Sequence, residues 1–175
     1  LEDQLIQIES LHDIPVIRVQ DQELEYTYSN IEGTGVTVIC RIQVLPDSFA
    51  FTFSLEKTNG LCITGVSYPF LVSGYQLEGT SGSEALVYPL NAGILKRTPN
   101  PQDLEPDSFH AWQFTPENGD TFHYPGQVFA QFLAWYNDQA GILAMCDDTE
   151  GHLKLIKPVH RHGLRLGFFH AGDWR

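Results

Sequence analysis

Two neighbouring segments carry apolar residues at every second position, and this alternation constrains the fold more than any other feature. Valine, cysteine and isoleucine take these positions in residues 36–44, and phenylalanine and leucine take them in residues 49–55. Successive side chains of a β-strand point to opposite faces, so each segment predicts a strand with one buried face and one wet face. The Pro46-Asp47 step between them is a turn signal. Together they predict an antiparallel hairpin.

Short strand-like segments separated by turn residues continue to the end of the chain. They are predicted at 61–68, 128–136, 141–146, 152–157 and 164–169, with shorter extended pieces at Ala85–Tyr88, Gly93–Lys96 and Phe109–Phe114. Within the 128–136 segment, Phe129, Phe132 and Trp135 are predicted to be core residues. Strands that each bury one face need a second layer to cover them. We therefore predict an all-β fold, an antiparallel β-sandwich.

The domain organisation follows from the same patterns. The chain has 175 residues and no interior segment that resembles a linker, so a single domain over 1–175 is predicted. Residues 1–14 have leucine and isoleucine at helical spacing and are predicted to form a short helix or a packed arm. Residues 73–127 are rich in Gly, Ser, Pro, Asn and Asp. Such a long loop-rich segment in a compact domain is usually functional.

The charge of the chain excludes several classes of partner. It has 10 basic and 22 acidic residues, a net charge of −12. Nucleic-acid binding depends on clustered cations, and so does docking on anionic lipid. We therefore expect no nucleic-acid or membrane partner, whereas an uncharged carbohydrate is compatible with the charge. No signal peptide is visible, and no apolar run is long enough for a membrane helix.

The three cysteines lie in strand-like apolar runs and form no CxxC pair. They are Cys40, Cys62 and Cys146. This pattern predicts buried free thiols rather than metal ligands or nucleophiles. Free thiols favour a reducing compartment such as the cytoplasm.

An ordered set of turn and strand signals extends from Tyr68 to Lys154. Its parts are Tyr68-Pro69-Phe70, Tyr88-Pro89-Leu90-Asn91-Ala92-Gly93, Tyr124-Pro125-Gly126, Gln131–Tyr136, Gly141–Ala144, Asp147, Gly151 and Lys154. In order and spacing, this set resembles the galactose-mutarotase-like β-sandwich, or supersandwich. That module precedes a (β/α)8 catalytic barrel in bacterial glycoside-hydrolase-like proteins. The resemblance covers about residues 50–175.

The resemblance implies a non-catalytic accessory domain that packs on the catalytic barrel of its parent chain and lends loops to sugar binding. The family's catalytic carboxylates lie in the barrel, so no catalytic residue and no cofactor are expected here. The family module is longer at both ends, which implies a truncated module, and Cys146-Asp147 replaces the family's Thr-x-Asp step. The expected sugar-binding residues at strand ends are Tyr88, Asn91, Trp112, Tyr124 and Asp147.

Two other functions stay open. A self-contained mutarotase or epimerase would use a histidine and a carboxylate as acid and base. Its candidate residues are His110, His123, His152, Asp147, Asp148 and Glu150. A structural sandwich without ligand would instead expose an apolar patch that a partner covers.

A metal site is not expected. His160 and His162 have the spacing of a pair on one face of a strand, but Arg161 and Arg165 would repel a cation. A cupin-like site would also need a glutamate a few residues further on, and none follows.

Overall fold

The computed structural model describes residues 13–69, 71–73, 76–79, 82–97, 122–126, 128–156, 159–160 and 163–174. Regular structure in these residues is β-strand, apart from one 3-10 turn at Ile31–Gly33. All strand pairs of known register are antiparallel. The predicted all-β fold with antiparallel sheets is therefore confirmed. The helix or arm predicted for 1–14 lies almost wholly outside the described residues, as does the piece at Phe109–Phe114.

The chain divides into two compact units, residues 1–64 with 173–175 and residues 65–172. The first unit contains one four-stranded sheet in the order β1-β2-β3-β4. Its strands are β1 (Val16–Gln20), β2 (Glu23–Ser29), β3 (Thr37–Val44) and β4 (Phe49–Lys57). β3 and β4 form the hairpin that the apolar alternation predicted.

The first sheet has one polar and one apolar face. On the polar face the Arg41 guanidinium donates a hydrogen bond to the Glu25 carboxylate at 3.0 Å. On the apolar face Cys40 is buried at the centre, whereas Ile17, Val19 and Phe49 are each more than half exposed. Part of this apolar face is therefore uncovered within the described structure.

The second unit is built around three small sheets. The strands of these sheets, of which β5 before residue 65 and β15 after residue 172 count with the first unit, are β5 (Ile63–Ser67), β6 (Leu71–Ser73), β7 (Ala85–Tyr88), β8 (Ile94–Arg97), β9 (Phe122–Tyr124), β10 (Phe132–Tyr136), β11 (Gly141–Met145), β12 (Lys154–Ile156), β13 (Val159–His160), β14 (Gly163–Leu166) and β15 (Phe168–Trp174). The strand orders are β11-β10-β7-β8, β5-β15-β12-β9 and β13-β14-β6. β7 and β8 confirm the two pieces predicted inside the loop-rich segment.

One core joins two of these sheets. Leu86 and Trp135 come from the β11-β10-β7-β8 sheet, and Ile156 and Phe168 come from the β5-β15-β12-β9 sheet. Trp135 and Ile156 are completely buried. The second unit thus has the two apolar layers that one-sided strands require.

Two predictions about the core need correction. Phe129 is 62% exposed, because it precedes β10, which begins only at Phe132. Phe132 is only half-buried, on the face of β10 opposite to Trp135, so it is the second correction. Trp135 is buried as predicted.

The cysteines differ from one another. Cys62 is exposed in the connection before β5, so its predicted burial is wrong. Cys40 is buried, and its burial raises the pKa of the thiol to about 11. Cys146 is half-buried directly after β11, and burial raises its pKa as well. Thiols with raised pKa values carry little of the reactive thiolate at neutral pH.

Gly65 on β5 makes room for an aromatic ring. A Cβ at this position would stand 1.9 Å from Cζ of Phe169 on β15. Because that distance is far below van der Waals contact, we expect Gly65→Ala to lower the free energy of unfolding by about 1–3 kcal/mol. Urea denaturation measures this, with Thr64→Ala on the same strand as the control. Adding Phe169→Leu should recover part of the lost stability. A Gly65→Ala variant with the same free energy of unfolding as the original chain would contradict this packing.

Candidate functional site

One end of the second unit gathers several strand ends. β7 ends, β10 begins and β11 ends on this side of their sheet. The connection before β10 ties them together: Val128 bridges Leu90, and the Phe129 amide donates to the Pro89 carbonyl at 3.1 Å. The Cys146 amide then donates to the carbonyl of Gln131 at 2.9 Å. The loops at this end are therefore held to one another by backbone hydrogen bonds.

Three of the five predicted sugar-binding residues lie at this end. Asn91 is exposed in the β7–β8 turn, Asp147 is exposed after β11, and Tyr124 is half-buried at the end of β9. Tyr88 is only 5% exposed and belongs to the core, so its ring has a packing role. Trp112 lies outside the described residues. Sugar binding by these residues stays a prediction.

The carboxylate that organises this end is Asp148. Its side chain accepts hydrogen bonds from the amides of Glu150 at 3.1 Å and His152 at 2.9 Å. The Lys154 ammonium donates to the same carboxylate at 2.5 Å. The Asp148 carbonyl accepts from Nε2 of Gln131 at 2.8 Å. Asp148 therefore connects the β11–β12 turn both to β12 and to the segment before β10.

Lys154 is a charged residue inside the fold. Its side chain is 3% exposed. On β12 it stands opposite Tyr124 and His170, and two residues from the core residue Ile156. Paired positions share a face of the sheet, so the ammonium lies on the core side. A second hydrogen bond, to the His152 carbonyl at 3.1 Å, holds it there.

The surroundings lower two pKa values, for different reasons. The hydrogen bond from Lys154 holds the pKa of the Asp148 carboxyl well below its usual range, and the contact with His152 lowers it further. For His170, burial lowers the pKa of the imidazole, and its hydrogen bond with the Tyr68 carbonyl opposes that shift. Asp148 is therefore ionised at neutral pH, whereas His170 favours its neutral form.

His152 lies between two carboxylates. Its Nδ1 is 3.2 Å from Asp148, and its Nε2 is 3.4 Å from Glu150. The side chain is 58% exposed, so solvent reaches the ring. An exposed imidazole next to carboxylates can exchange protons with a bound hydroxyl. Among the predicted acid–base residues, His152, Asp148 and Glu150 are thus brought together in one turn.

The turn geometry explains a spacing in the sequence. Gly151 has φ +72°, a conformation that favours glycine. The hydroxyl of Tyr124 would be 3.6 Å from a Cβ at that position. Gly151 and Lys154 belong to the motif of the resemblance, and the aspartate that contacts them is Asp148, the neighbour of the motif residue Asp147. Two adjacent aspartates look alike in a sequence, and only the contact with Lys154 in the folded chain distinguishes them.

Comparison with known proteins finds no match. No protein family, characterised protein or solved structure matches the chain. The described residues contain no helix long and apolar enough to cross a membrane. Within the same residues, no three His, Cys, Asp or Glu side chains are grouped to hold a metal ion.

Breaking the buried ion pair tests its structural role. Asp148→Ala removes the carboxylate and leaves the Lys154 charge uncompensated, so we expect the free energy of unfolding to fall by about 3–5 kcal/mol. Glu150→Ala is the control in the same turn: its side chain is 78% exposed, and the loss should stay within about 0.5 kcal/mol. Urea denaturation measures both. Equal effects would show that the pair does not hold the turn.

The pair also predicts a dependence on pH. The pKa of Asp148 is lower in the folded than in the unfolded state, so the unfolded state takes up the proton first as the pH falls. Its contribution to stability is complete above the ordinary aspartate pKa of about 4 and decreases below that pH. Urea denaturation from pH 7 to pH 2 should show a smaller acid loss in Asp148→Asn than in the unchanged chain. Parallel profiles would contradict the assignment.

Proposed function

We propose that this chain is a non-catalytic accessory β-domain of a carbohydrate-active, glycoside-hydrolase-like protein. It would pack on a catalytic (β/α)8 barrel and present the loops around Asn91, Tyr124 and Asp147 to a saccharide. The carbohydrate part depends on the resemblance between Tyr68 and Lys154. The non-catalytic part depends on the contacts of the described residues.

The observation that carries the proposal is the hydrogen-bonded ion pair between Asp148 and Lys154. Lys154 is buried and its ammonium has two protein acceptors, and the Asp148 carboxylate accepts from the amides of Glu150 and His152 and from Lys154. In an accessory domain, groups held in this way would stabilise the loop that carries them. The cluster also contains Gln131 and Gly151, which belong to the motif of the resemblance. The motif therefore has a structural explanation that suits a binding domain.

The packing part has support in the first sheet. Its apolar face leaves Ile17, Val19 and Phe49 more than half exposed. A sheet with one apolar face requires a second layer. A neighbouring domain such as the barrel would supply it.

A mutarotase or epimerase is the second candidate, and His152 is the reason to keep it. Its ring nitrogens lie 3.2 Å from Asp148 and 3.4 Å from Glu150. In that function Glu150, the more exposed carboxylate, would share a proton with the histidine at the sugar ring oxygen or anomeric hydroxyl. Asp148 would orient the imidazole.

Titration with neutral oligosaccharides, followed by amide NMR shifts, tests the proposal. We expect shifts confined to the Asn91 turn, Tyr124 and Asp147. Asn91 has φ 52°, so Asn91→Gly removes the amide side chain without backbone strain. We expect the Kd to rise threefold to tenfold, since a hydrogen bond contributes about 0.5–1.5 kcal/mol. Asn59→Gly is the matched control, because Asn59 has φ 53° in a turn of the first unit.

The outcomes separate the candidate functions. An absence of shifts with every oligosaccharide contradicts sugar binding. Polarimetry on a freshly dissolved sugar anomer measures mutarotation directly. Faster mutarotation that His152→Ala abolishes would replace the accessory function by the enzymatic one.

A further inference from the structure

The outer face of the β11-β10-β7-β8 sheet carries an apolar row. Leu143, Ala134, Val87 and Leu95 stand opposite one another across its four strands. Leu143 is 61% exposed and Leu95 is 48% exposed. The row lies on the side away from Leu86 and Trp135, since neighbouring residues of a strand alternate between faces.

Further apolar pairs extend this row on both sides. Met145 stands opposite Phe132, and Tyr136 stands opposite Ala85. Met145 is 66% exposed and Tyr136 is 43% exposed, whereas Ala85 is buried. This sheet is therefore apolar on both faces, a pattern typical of strands that are covered on both sides. We call the surface formed by these rows the outer face.

The charges that border the outer face stand at opposite corners. Arg97 is exposed on β8, across from Ala85. Asp147 is exposed beyond Met145 at the far end of β11. Ala144 and Cys146 pack against the core, so Met145 and Asp147 continue the alternation on the outer side. A basic corner and an acidic corner thus lie on one diagonal.

We infer that the outer face binds a second copy of this chain, face to face about a two-fold axis. An axis between the two faces, perpendicular to that diagonal, places the centre of one apolar surface on the centre of the other, so that the apolar rows of the two copies cross. It also places Arg97 of each copy over Asp147 of the other. The interface is isologous, so one patch supplies both apolar contact and two ion pairs. The strands of the two copies then cross steeply, as in orthogonally packed sheets.

The size of the outer face fits this role. Two outward positions on each of β7 and β8 and three on each of β10 and β11, with strands about 4.8 Å apart, span about 330 Å². That is within the range of about 300–600 Å² where the largest apolar patch of a monomer is often functional. A stable interface buries about 800 Å² per partner. The outer face would form its apolar centre, and the corner charges would belong to its rim.

Sedimentation equilibrium of the full chain over a range of concentrations tests the inference. We expect a dimer that Leu143→Asp converts into a monomer, because two carboxylates per dimer would lose water at the centre of the contact. Leu61→Asp is the control: Leu61 is 39% exposed in the β4–β5 connection and should leave the dimer intact. Circular dichroism confirms that both variants stay folded. A monomer at every soluble concentration overturns the inference, and it is the result expected if a different protein covers this face.

Exchanging the corner charges tests the orientation of the two copies. Arg97→Asp or Asp147→Arg alone puts like charges together twice per dimer, and we expect the Kd to rise about tenfold. The double variant restores both pairs and should return the Kd toward that of the unchanged chain. Added salt should weaken the unchanged dimer and relieve both single variants. A Leu143→Asp variant that still dimerises contradicts the proposed face. A double variant that dimerises more weakly than either single variant contradicts the proposed axis.

Discussion

A lysine ammonium inside a protein costs several kcal/mol unless a counter-charge and hydrogen-bond acceptors meet it. Lys154 is in this position, on the core side of β12. Asp148 meets it, and the same carboxylate accepts the amides of the β11–β12 turn. The Asp148 carbonyl then holds Gln131, whose own carbonyl holds the end of β11. One buried ion pair is therefore linked by hydrogen bonds to the β11–β12 turn and to the segment before β10.

The two units share a property that bears on function. Each contains a sheet with apolar side chains in solvent, on the Ile17–Val19 side of the first sheet and on the outer face of the second unit. Exposed apolar rows on ordered strands are expensive unless a partner covers them. This is the observation behind both proposed contacts with other protein surfaces. The proposal of a saccharide ligand rests only on the resemblance of the hairpin motif. The loops around Asn91 and Asp147 are where we expect such a ligand to bind.

Much of the fold could be predicted because most strands here bury one face, which leaves a period-two pattern. The β3–β4 hairpin is the clearest case. The start of β10 could not be predicted, because a continuous apolar run has no period that marks where pairing begins, and Phe129 was misplaced for that reason. Cys62 was misplaced because an apolar neighbourhood in sequence does not imply burial at a turn.

The candidate site shows a different limit. The spacing of Tyr124, Gly151 and Lys154 pointed to residues that lie close together in the structure. The choice between Asp147 and Asp148 depended on which carboxylate faces Lys154 across the turn, and that is a property of three-dimensional geometry. Tyr88 looked like a loop residue because Pro89 follows it, yet it closes the core.

The contact between Gly65 and the ring of Phe169 has an evolutionary consequence. Neither residue can change freely while the other is kept, because the ring occupies the volume of the missing side chain. A lineage that acquires a larger residue at position 65 must first replace the ring at position 169. In related sequences, positions 65 and 169 should therefore change together, and this covariation would mark the β5–β15 pairing.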